Sequence, residues 1–357
     1  MLKFHPLKVK ARSEVAEDAV CITFELPQEL REQFRFEAGQ HVAVRLPDGD
    51  VRRTYSIVCP AGSADLSIGV RRHRCGAVSS YLAERLQVGD TLEVLTPNGS
   101  FHTRIEPERT KQYVAFVAGS GITPVLSIAA TVLAREPTSR FILFYGNRTS
   151  ASTMFLEDVL ALKNRYPARL AVHFLMSREP QDSELFNGRL DRAKVRRFAE
   201  VFFDVAAVDE YFVCGPGSMV DEVSASLRDL GAHGKVHVEL FSTALRPVGM
   251  PRHEEAAAPV GTRGESQVTV VIDGRRRRFA MPLDDQESVL DAAARAGIDL
   301  PYSCRAGVCS TCRVRVIKGT VRMEYNLALE DWEVEAGYAL CCQARPTTAE
   351  LELSYDE

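Results

Sequence analysis

Residues 301–319 read PYSCRAGVCSTCRVRVIKG, and this one short loop carries three cysteines: Cys304, Cys309 and Cys312. Two more candidate ligands, Cys341 and Cys342, follow in GYALCCQARP, residues 337–346. The spacing C-x4-C-x2-C…C allows one irregular loop to surround two irons with three thiolates, while a distant segment supplies the fourth. Gly307 suits such a loop because the backbone must pass close to the sulfurs. The spacing therefore predicts a [2Fe–2S] cluster.

Other interpretations of the cysteines are a structural zinc site or ordinary buried thiols. Zinc sites more often pair two C-x2-C knuckles, which this loop lacks. The chain has nine cysteines, an odd number, and it is too long to need disulfides for its stability. Spacing alone leaves open whether Cys341 or Cys342 is the fourth ligand. Three of the other four cysteines are expected to be buried small residues: Cys21, Cys59 and Cys75.

The two cysteine segments resemble the cluster loop and the fourth-ligand segment of plant-type ferredoxins. In that family the last ligand precedes x-A-x-P, and here Cys342 precedes Gln343-Ala344-Arg345-Pro346. The resemblance implies that Cys342, with Cys304, Cys309 and Cys312, holds the metal. It also implies an α+β domain of the β-grasp type.

The rest of the chain divides by its apolar periodicity. Residues 1–108 contain short alternating stretches such as AVCITFEL and TYSIV, separated by turn signals. This pattern predicts an antiparallel β-barrel, with a β-sandwich as the alternative. Residues 109–243 alternate strands with helices and predict a parallel α/β sheet. Residues 244–266 are rich in Pro, Ala, Gly and charge and predict a linker. Residues 267–357 form the predicted cluster domain, opening with a hairpin at Asp273-Gly274.

Two segments of the predicted barrel resemble the flavin site of the ferredoxin–NADP reductase family. Arg53-Thr54-Tyr55-Ser56 matches its R-x-Y-S motif. The resemblance implies that Arg53 pairs with a phosphate, Tyr55 packs on the flavin ring and Ser56 bonds near its reactive nitrogen. Gly76-Ala77-Val78-Ser79-Ser80 resembles the segment that binds the flavin pyrophosphate, implying roles for Gly76, Val78, Ser79 and Ser80. Cys75 stands where that family usually has a first glycine.

Two loops of the predicted α/β domain resemble the same family's nicotinamide nucleotide site. Ala118-Gly119-Ser120-Gly121-Ile122-Thr123-Pro124 lies between a buried strand and a helix, where glycines and a helix N-terminus favour a pyrophosphate. It is similar to the G-x-G-x-T-P loop, which implies binding roles for four residues: Gly119, Gly121, Thr123 and Pro124. The second loop contains Cys214-Gly215-Pro216, and the resemblance implies that Cys214 lies near the nicotinamide.

The coenzyme is expected to be NADPH, with NADH possible. Tyr145-Gly146-Asn147-Arg148-Thr149 and Ser177-Arg178 follow the middle strands and fit the family's 2′-phosphate pattern, whereas Asn147–Ser152 contains no acidic residue for ribose hydroxyls. The alternative for Arg148 and Arg178 is that both are solvated strand ends. Phe241, after the last strand of the domain, covers the flavin in related reductases or else belongs to the core. The flavin is expected to be FAD, with FMN as the alternative.

Composition excludes several other classes of protein. The net charge of −4 gives no reason to expect nucleic-acid binding, and no run of about 18 apolar residues suggests a membrane span. The N-terminal residues lack the apolar core of a signal peptide, so the cytoplasm is the expected compartment. Arg275–Arg278 are expected to form a solvated face, with a docking patch for an acidic partner as the alternative.

The order of barrel, nucleotide domain, linker and ferredoxin resembles the reductases of multicomponent bacterial oxygenases. The resemblance implies electron flow from NADPH through FAD and the cluster to an oxygenase partner, with Ser56, Cys214 and Phe241 at the hydride-transfer site. SREPQDSELFNGRLDRAKV (177–195) is similar to the reductase subunits of phenylacetyl-CoA 1,2-epoxidases. Alternatives are an NADH-dependent reductase of another oxygenase, such as steroid 9α-hydroxylase, a redox-sensing module, or a nitric-oxide or ferric reductase.

Overall fold

The computed structural model describes residues 3–47, 51–73, 76–241, 264–283 and 287–356. The described residues pack into two compact units, one built from residues 4–97 and 101–241 and the other mainly from residues 264–356. Most of the predicted linker lies outside the described residues, and the chain is described again from Gly264.

The N-terminal part of the larger unit is an antiparallel barrel with one helix, α1 (Ala77–Glu84). Its six strands run in the order β4-β3-β6-β1-β2-β5 and are β1 (Phe4–Ala16), β2 (Ala19–Glu25), β3 (His41–Arg45), β4 (Arg52–Ser56), β5 (Leu66–Arg71) and β6 (Thr91–Leu95). The two edges meet just beyond β4, where Ile57 bridges to Ile68 and the Val58 N–H donates to the Ser67 carbonyl at 2.9 Å. The antiparallel flavin-domain fold predicted from the sequence is confirmed.

The barrel core follows the period-two pattern of β2. Val20, Ile22 and Phe24 are all at most 4% exposed, as their alternation predicts. β1 was not predicted, although at thirteen residues it is the longest strand described. It pairs with both β2 and β6, and its bulges and polar outward face hide its periodicity.

The second half of the larger unit is a parallel sheet in the order β11-β10-β7-β8-β9. Its strands are β7 (Gln112–Ala118), β8 (Arg140–Asn147), β9 (Leu170–Met176), β10 (Glu210–Gly215) and β11 (Lys235–Leu240), and its helices are α2 (Ile122–Arg135), α3 (Leu156–Arg165), α4 (Arg192–Phe202) and α5 (Gly217–Asp229). The strand order reverses between β7 and β10. Ligands of such sheets bind in the crevice outside the carboxyl ends of the strands at this point.

A buried ionic network ties the amino ends of these strands together. Glu210, at the start of β10, accepts from His237 Nε2 at 2.8 Å, Thr103 Oγ1 at 2.7 Å and Lys111 Nζ at 3.1 Å. Burial alone would raise the pKa of Glu210, but the bonds from His237, Thr103 and Lys111 outweigh it and lower that pKa to about 2. The carboxylate is therefore more stable in the folded chain than in the unfolded one.

Glu210→Gln is expected to lower the free energy of unfolding by about 2–3 kcal/mol at pH 7. Because the pKa of Glu210 is depressed on folding, its contribution is complete above the unfolded value near 4.5 and is lost as the pH falls toward 2. The measurement is urea unfolding of both proteins from pH 8 to pH 3.5. The difference in free energy of unfolding between the two proteins should be constant down to about pH 5 and become smaller below it. A difference that does not change with pH would contradict this assignment.

The C-terminal unit contains a five-stranded sheet in the order β13-β12-β18-β14-β16 and a two-stranded sheet of β15 and β17. Its elements are β12 (Glu265–Ile272), β13 (Arg275–Pro282), α6 (Val289–Arg295), β14 (Arg313–Lys318), β15 (Val321–Met323), α7 (Asp331–Glu335), β16 (Tyr338–Leu340), β17 (Ala344–Pro346) and β18 (Glu350–Ser354). The predicted hairpin forms: Asp273 and Gly274 have φ of 57° and 68°, as a two-residue type I′ turn requires. All of Arg275–Arg278 are exposed along the edge strand β13, the solvated face that was predicted.

Among the described residues, no helix combines the length and the apolar character needed to cross a membrane.

Candidate functional site

The R-x-Y-S segment forms β4 of the barrel. Arg53 is exposed, Thr54 and Tyr55 are partly buried, and Ser56 is buried. Burial raises the pKa of the Tyr55 phenol, with Arg53 opposing the shift, so the ring is neutral. Ser56 stands opposite His41 of β3 in the antiparallel register, so the two side chains share one face of the strand pair.

The predicted flavin pyrophosphate segment forms the start of α1, with Gly76 at the N-cap position. The Ser79 hydroxyl accepts from the His73 N–H at 3.1 Å and donates to the Gly76 carbonyl at 3.2 Å. Ser80 donates to the His73 carbonyl at 3.3 Å, and Val78 is buried. The two serines therefore shape the loop, and the first backbone amides of α1 are the groups suited to an anion. Cys75 lies outside the described residues.

The glycine loop lies at the carboxyl end of β7, where the sheet reverses. Gly119 has φ of +57°, and its carbonyl accepts from the Tyr145 hydroxyl at 3.0 Å. A Cβ on Gly121 would lie 2.1 Å from the carbonyl oxygen of Cys214, so this loop and the Cys214-Gly215-Pro216 loop touch backbone to backbone. Thr123 and Pro124 are buried in the first turn of α2. Both predicted nucleotide loops thus meet at one crevice.

Two buried polar side chains, His41 of the barrel and Glu239 of the parallel sheet, lie next to each other. His41 Nδ1 lies 3.8 Å from Glu239 Oε1, and both side chains are at most 10% exposed. Glu239 stands beside Cys214 in the register of β11 and β10. Burial, and secondarily the Glu239 charge, raises the pKa of the Cys214 thiol, which stays neutral. Ser56 and Cys214 therefore lie at the two ends of one chain of neighbouring residues.

Phe241 follows β11 and is 43% exposed. This position excludes it from the hydrophobic core, one of its two sequence interpretations. An exposed ring at the carboxyl end of the sheet is available to cover a planar ligand.

The predicted 2′-phosphate residues gather at the carboxyl ends of β8 and β9. The Ser177 N–H donates to the Asn147 carbonyl at 3.0 Å, and the Arg178 N–H donates to the Arg148 carbonyl at 2.9 Å. Both arginines are exposed. Glu179 also reaches this corner and accepts from the Ser150 N–H at 2.8 Å and its hydroxyl at 2.6 Å. Glu179 lies outside Asn147–Ser152, the segment that contains no acidic residue, and was not predicted to be part of this corner.

The four predicted metal ligands converge in the C-terminal unit. Cys304 lies near Cys309 and Cys342, and Cys342 lies near Cys312, closely enough for these thiols to shift one another's pKa. These thiols lower the pKa of Cys304. The loop carries three residues with left-handed φ, Arg305, Gly307 and Ser310, of which two are not glycine. Such strained backbone persists where function requires it.

The structure separates the two adjacent cysteines. Cys341 is fully buried in the core near Tyr355, and burial raises the pKa of its thiol. Cys342 instead faces the other thiols and accepts from Gln343 Nε2 at 3.6 Å. The Ala306 N–H lies 3.3 Å from Cys304 Sγ. Four sulfurs with N–H donors around them fit a [2Fe–2S] cluster and favour Cys342 as the fourth ligand.

Arg71 is a further charged residue that the sequence did not single out. It ends β5 of the barrel, donates from Nη2 to the Ser152 carbonyl and lies 3.2 Å from Asp18. A Cβ on Gly119 would lie 3.1 Å from its Nη1, so the guanidinium stands at the glycine loop. Neither Arg71 nor His41 belongs to a recognisable motif, because both reach the site through the packing of distant strands.

Three known families match successive parts of the chain. Residues 6–103 match the oxidoreductase FAD-binding domain, residues 116–225 the oxidoreductase NAD-binding domain and residues 270–347 the 2Fe-2S iron-sulfur cluster binding domain. The cofactor classes predicted from the sequence are confirmed, with FAD rather than FMN as the flavin. The structure supplies groups that fit each of them, namely the amides of α1, the glycine loop of α2 and the four convergent cysteines.

Two relatives match the chain over nearly its whole length. The chain is 42% identical to one subunit of the 1,2-phenylacetyl-CoA epoxidase of Escherichia coli, over 100% of this chain and 99% of that protein. It is 34% identical to the ferredoxin reductase component of a 3-ketosteroid-9-alpha-monooxygenase of Rhodococcus rhodochrous, over 98% and 96% of the two chains. The fold is similar to phthalate dioxygenase reductase, with a TM-score of 0.59 and 24% identity over 98% of each chain.

Proposed function

Since the chain belongs to the family of FAD- and [2Fe–2S]-containing reductase components of oxygenases, we propose that it is the NADPH-dependent reductase of a phenylacetyl-CoA 1,2-epoxidase. The observation that carries the proposal is the 42% identity to the Escherichia coli protein across the full length of both chains. FAD, when bound, supplies the conversion between a two-electron hydride donor and the one-electron cluster. The domain boundaries proposed from the sequence, 1–108, 109–243 and 267–357, divide this work among three parts.

The residues of the barrel bind and orient the flavin. Arg53 supplies a charge for a phosphate, Tyr55 a neutral aromatic surface, and the first turn of α1 its backbone amides. Thr54 and Ser56 lie on the opposite face of β4 from Arg53 and Tyr55. Ser56, beside His41, offers a hydroxyl at the buried end of this strand.

The residues at the carboxyl end of the parallel sheet seat the nicotinamide. Cys214 presents a small, neutral thiol there because its pKa is raised by burial. Gly215 and Pro216 turn the chain into α5 and keep the loop close to Gly121. Phe241, exposed after β11, would be available to cover the bound rings. Water is excluded from this group because Ser56, His41 and Cys214 are all at most 5% exposed.

The preference for NADPH rests on the positive corner formed by Arg148, Ser177 and Arg178. A guanidinium pairs with the phosphate dianion through charge-assisted bonds, each stronger than a neutral one. Glu179, the acidic residue of this corner, is already engaged by Ser150 through two hydrogen bonds. It is therefore held away from the ribose hydroxyl role that acidic residues have in NADH enzymes.

A second candidate acceptor is a 3-ketosteroid-9-alpha-monooxygenase. The 34% identity to the Rhodococcus rhodochrous component favours it over other oxygenases. Both candidates require the same cofactors, and they differ only in the protein that receives the electrons.

Anaerobic titration of the purified enzyme tests the coenzyme and the order of reduction. NADPH is expected to bleach the flavin and then produce the electron paramagnetic resonance signal of one reduced cluster. It should do so with a kcat/KM at least about 10-fold above that for NADH. Arg178→Ala should lower kcat/KM for NADPH about 10-fold and leave that for NADH unchanged. Arg140→Ala, at the opposite end of β8, is the matched control and should change neither.

An equal decrease of kcat/KM for NADPH and for NADH in Arg178→Ala would contradict the 2′-phosphate assignment. The acceptor is tested in the same preparation by adding the other components of the Escherichia coli epoxidase. Phenylacetyl-CoA-dependent oxygen consumption is the expected result. Flavin and cluster reduction without any such consumption would point to the second candidate.

A further inference from the structure

Asn147 is the last residue of β8, and its side-chain amide makes no hydrogen bond to the described part of the fold. The residue is 8% exposed, and neither Oδ1 nor Nδ2 has a hydrogen-bond partner within the part of the chain that the structure describes. A buried amide without partners lowers the stability of the folded chain. Buried polar groups of native proteins are nearly always paired, so this exception requires an explanation.

The direction of the side chain follows from the strand. Tyr145 and Asn147 share one face of β8, because alternate residues point the same way. The Tyr145 hydroxyl reaches the Gly119 carbonyl at 3.0 Å and the Met154 carbonyl at 3.0 Å. The Asn147 amide lies near enough to this phenol to oppose the rise that burial causes in its pKa, but the two groups do not meet at hydrogen-bonding geometry. Asn147 therefore projects on the side of the glycine loop, one step closer to the carboxyl edge where nucleotides bind.

The neighbours of Asn147 bracket one part of a dinucleotide. On one side is the glycine loop at the N-terminus of α2, suited to the pyrophosphate. On the other side are Arg148, next in sequence, and Ser177, whose N–H donates to the Asn147 carbonyl at 3.0 Å. A ribose is the group that joins a pyrophosphate to a 2′-phosphate. A carboxamide has both donors and an acceptor and so matches ribose oxygens.

We propose that the Asn147 amide binds the adenosine ribose of the nicotinamide coenzyme and remains unpaired until the coenzyme arrives. The inference rests on the proposed coenzyme site. It gives a role to Asn147, to which the sequence pattern of this segment assigned none. The bound coenzyme then supplies the hydrogen bonds that the desolvated amide lacks in the free protein.

Asn147→Leu separates this role from a structural one. The apolar side chain has nearly the same shape, so the unpaired amide disappears with little change in packing. Calorimetry with ADP-ribose and with NADP⁺ on the oxidised holoenzyme should show about 10-fold weaker binding. The urea midpoint of the same protein should stay the same or rise, because replacing an unpaired buried amide removes a cost.

Asn187→Leu is the matched contrast in the same domain. Its amide is fully used: Nδ2 donates to the Gln181 and Ser183 carbonyls, and Oδ1 accepts from the Gln181 N–H. That variant should lose stability and keep its affinity for ADP-ribose. Asn147→Asp adds a specificity readout, because a carboxylate favours ribose hydroxyls and repels a phosphate. It should lower the ratio of kcat/KM for NADPH to that for NADH.

Wild-type affinity for ADP-ribose in Asn147→Leu, or a loss of stability like that of Asn187→Leu, would overturn the inference. An unchanged coenzyme ratio in Asn147→Asp would also count against it. Failure of the proposed function has a different signature. In that case neither NADPH nor NADH reduces the flavin of the wild-type enzyme, whatever ADP-ribose binding shows.

Discussion

Cys342→Ala is expected to remove the [2Fe–2S] cluster while leaving the flavin reducible by NADPH. Cys342 lies near Cys304 and Cys312, so its loss removes one of four neighbouring thiolates. Replacing even the outer partners of a metal site costs about 10–100-fold, and loss of a direct ligand should exceed that. We expect electron delivery to an oxygenase to fall by at least about 100-fold. Visible absorbance and the signal of the reduced cluster are the measurements.

Cys341→Ala is the matched control because it removes the same atom one residue earlier. Cys341 is fully buried in the core of the C-terminal unit, where burial, and secondarily the neighbouring Cys312, raises the pKa of its thiol. The variant should keep iron, sulfide and the cluster signal, with only a modest loss of stability from the small cavity. Cluster loss in Cys341→Ala with retention in Cys342→Ala would reverse the ligand assignment. Flavin reduction is measured in both proteins and reports that the larger unit is folded.

The sequence could predict features that depend on neighbouring residues. The cluster loop, the glycine loop and the Asp273-Gly274 hairpin each need a local backbone conformation that restricts residue type. The strands and helices of the parallel sheet could be predicted for the same reason, because each has its own apolar periodicity. Apolar periodicity and cysteine spacing allow either Cys341 or Cys342 as the fourth ligand. The prediction of Cys342 therefore depended on the resemblance to ferredoxins.

Features built from distant residues were not predicted. His41 and Arg71 reach the site because β3 and β5 of the barrel stand beside the glycine and Cys214 loops, which no local pattern records. Helix α4 was also missed, since its buried face consists of only Val195 and Phe198. One signal for it was present: Asp191 caps the helix by accepting from the Lys194 N–H at 2.8 Å. An aspartate before an amphipathic stretch is such a start signal.

Gly121→Ala is expected to abolish reduction by NADPH while leaving both cofactors in place. A Cβ at this position would lie 2.1 Å from the Cys214 carbonyl oxygen and 2.6 Å from its carbonyl carbon. Backbone cannot rotate out of the way as a side chain can, so the two nucleotide loops must separate. Displacement of bound reactants by about 1 Å can cost about 100-fold in rate. We therefore expect flavin reduction by NADPH to slow by at least that factor.

Gly146→Ala distinguishes this collision from a general intolerance of glycine replacement. Gly146 lies in β8 at the same edge of the sheet, but a Cβ there would be 3.5 Å from the nearest atom, an ordinary contact. The rate of flavin reduction by NADPH in Gly146→Ala should stay within about 2-fold of wild type, because an ordinary van der Waals contact displaces no neighbouring atom. Dithionite should reduce the flavin and the cluster fully in both variants, since neither change touches the barrel or the C-terminal unit. Wild-type reduction by NADPH in Gly121→Ala would mean that the coenzyme does not use the contact between the two loops, and the assignment of this crevice would fail with it.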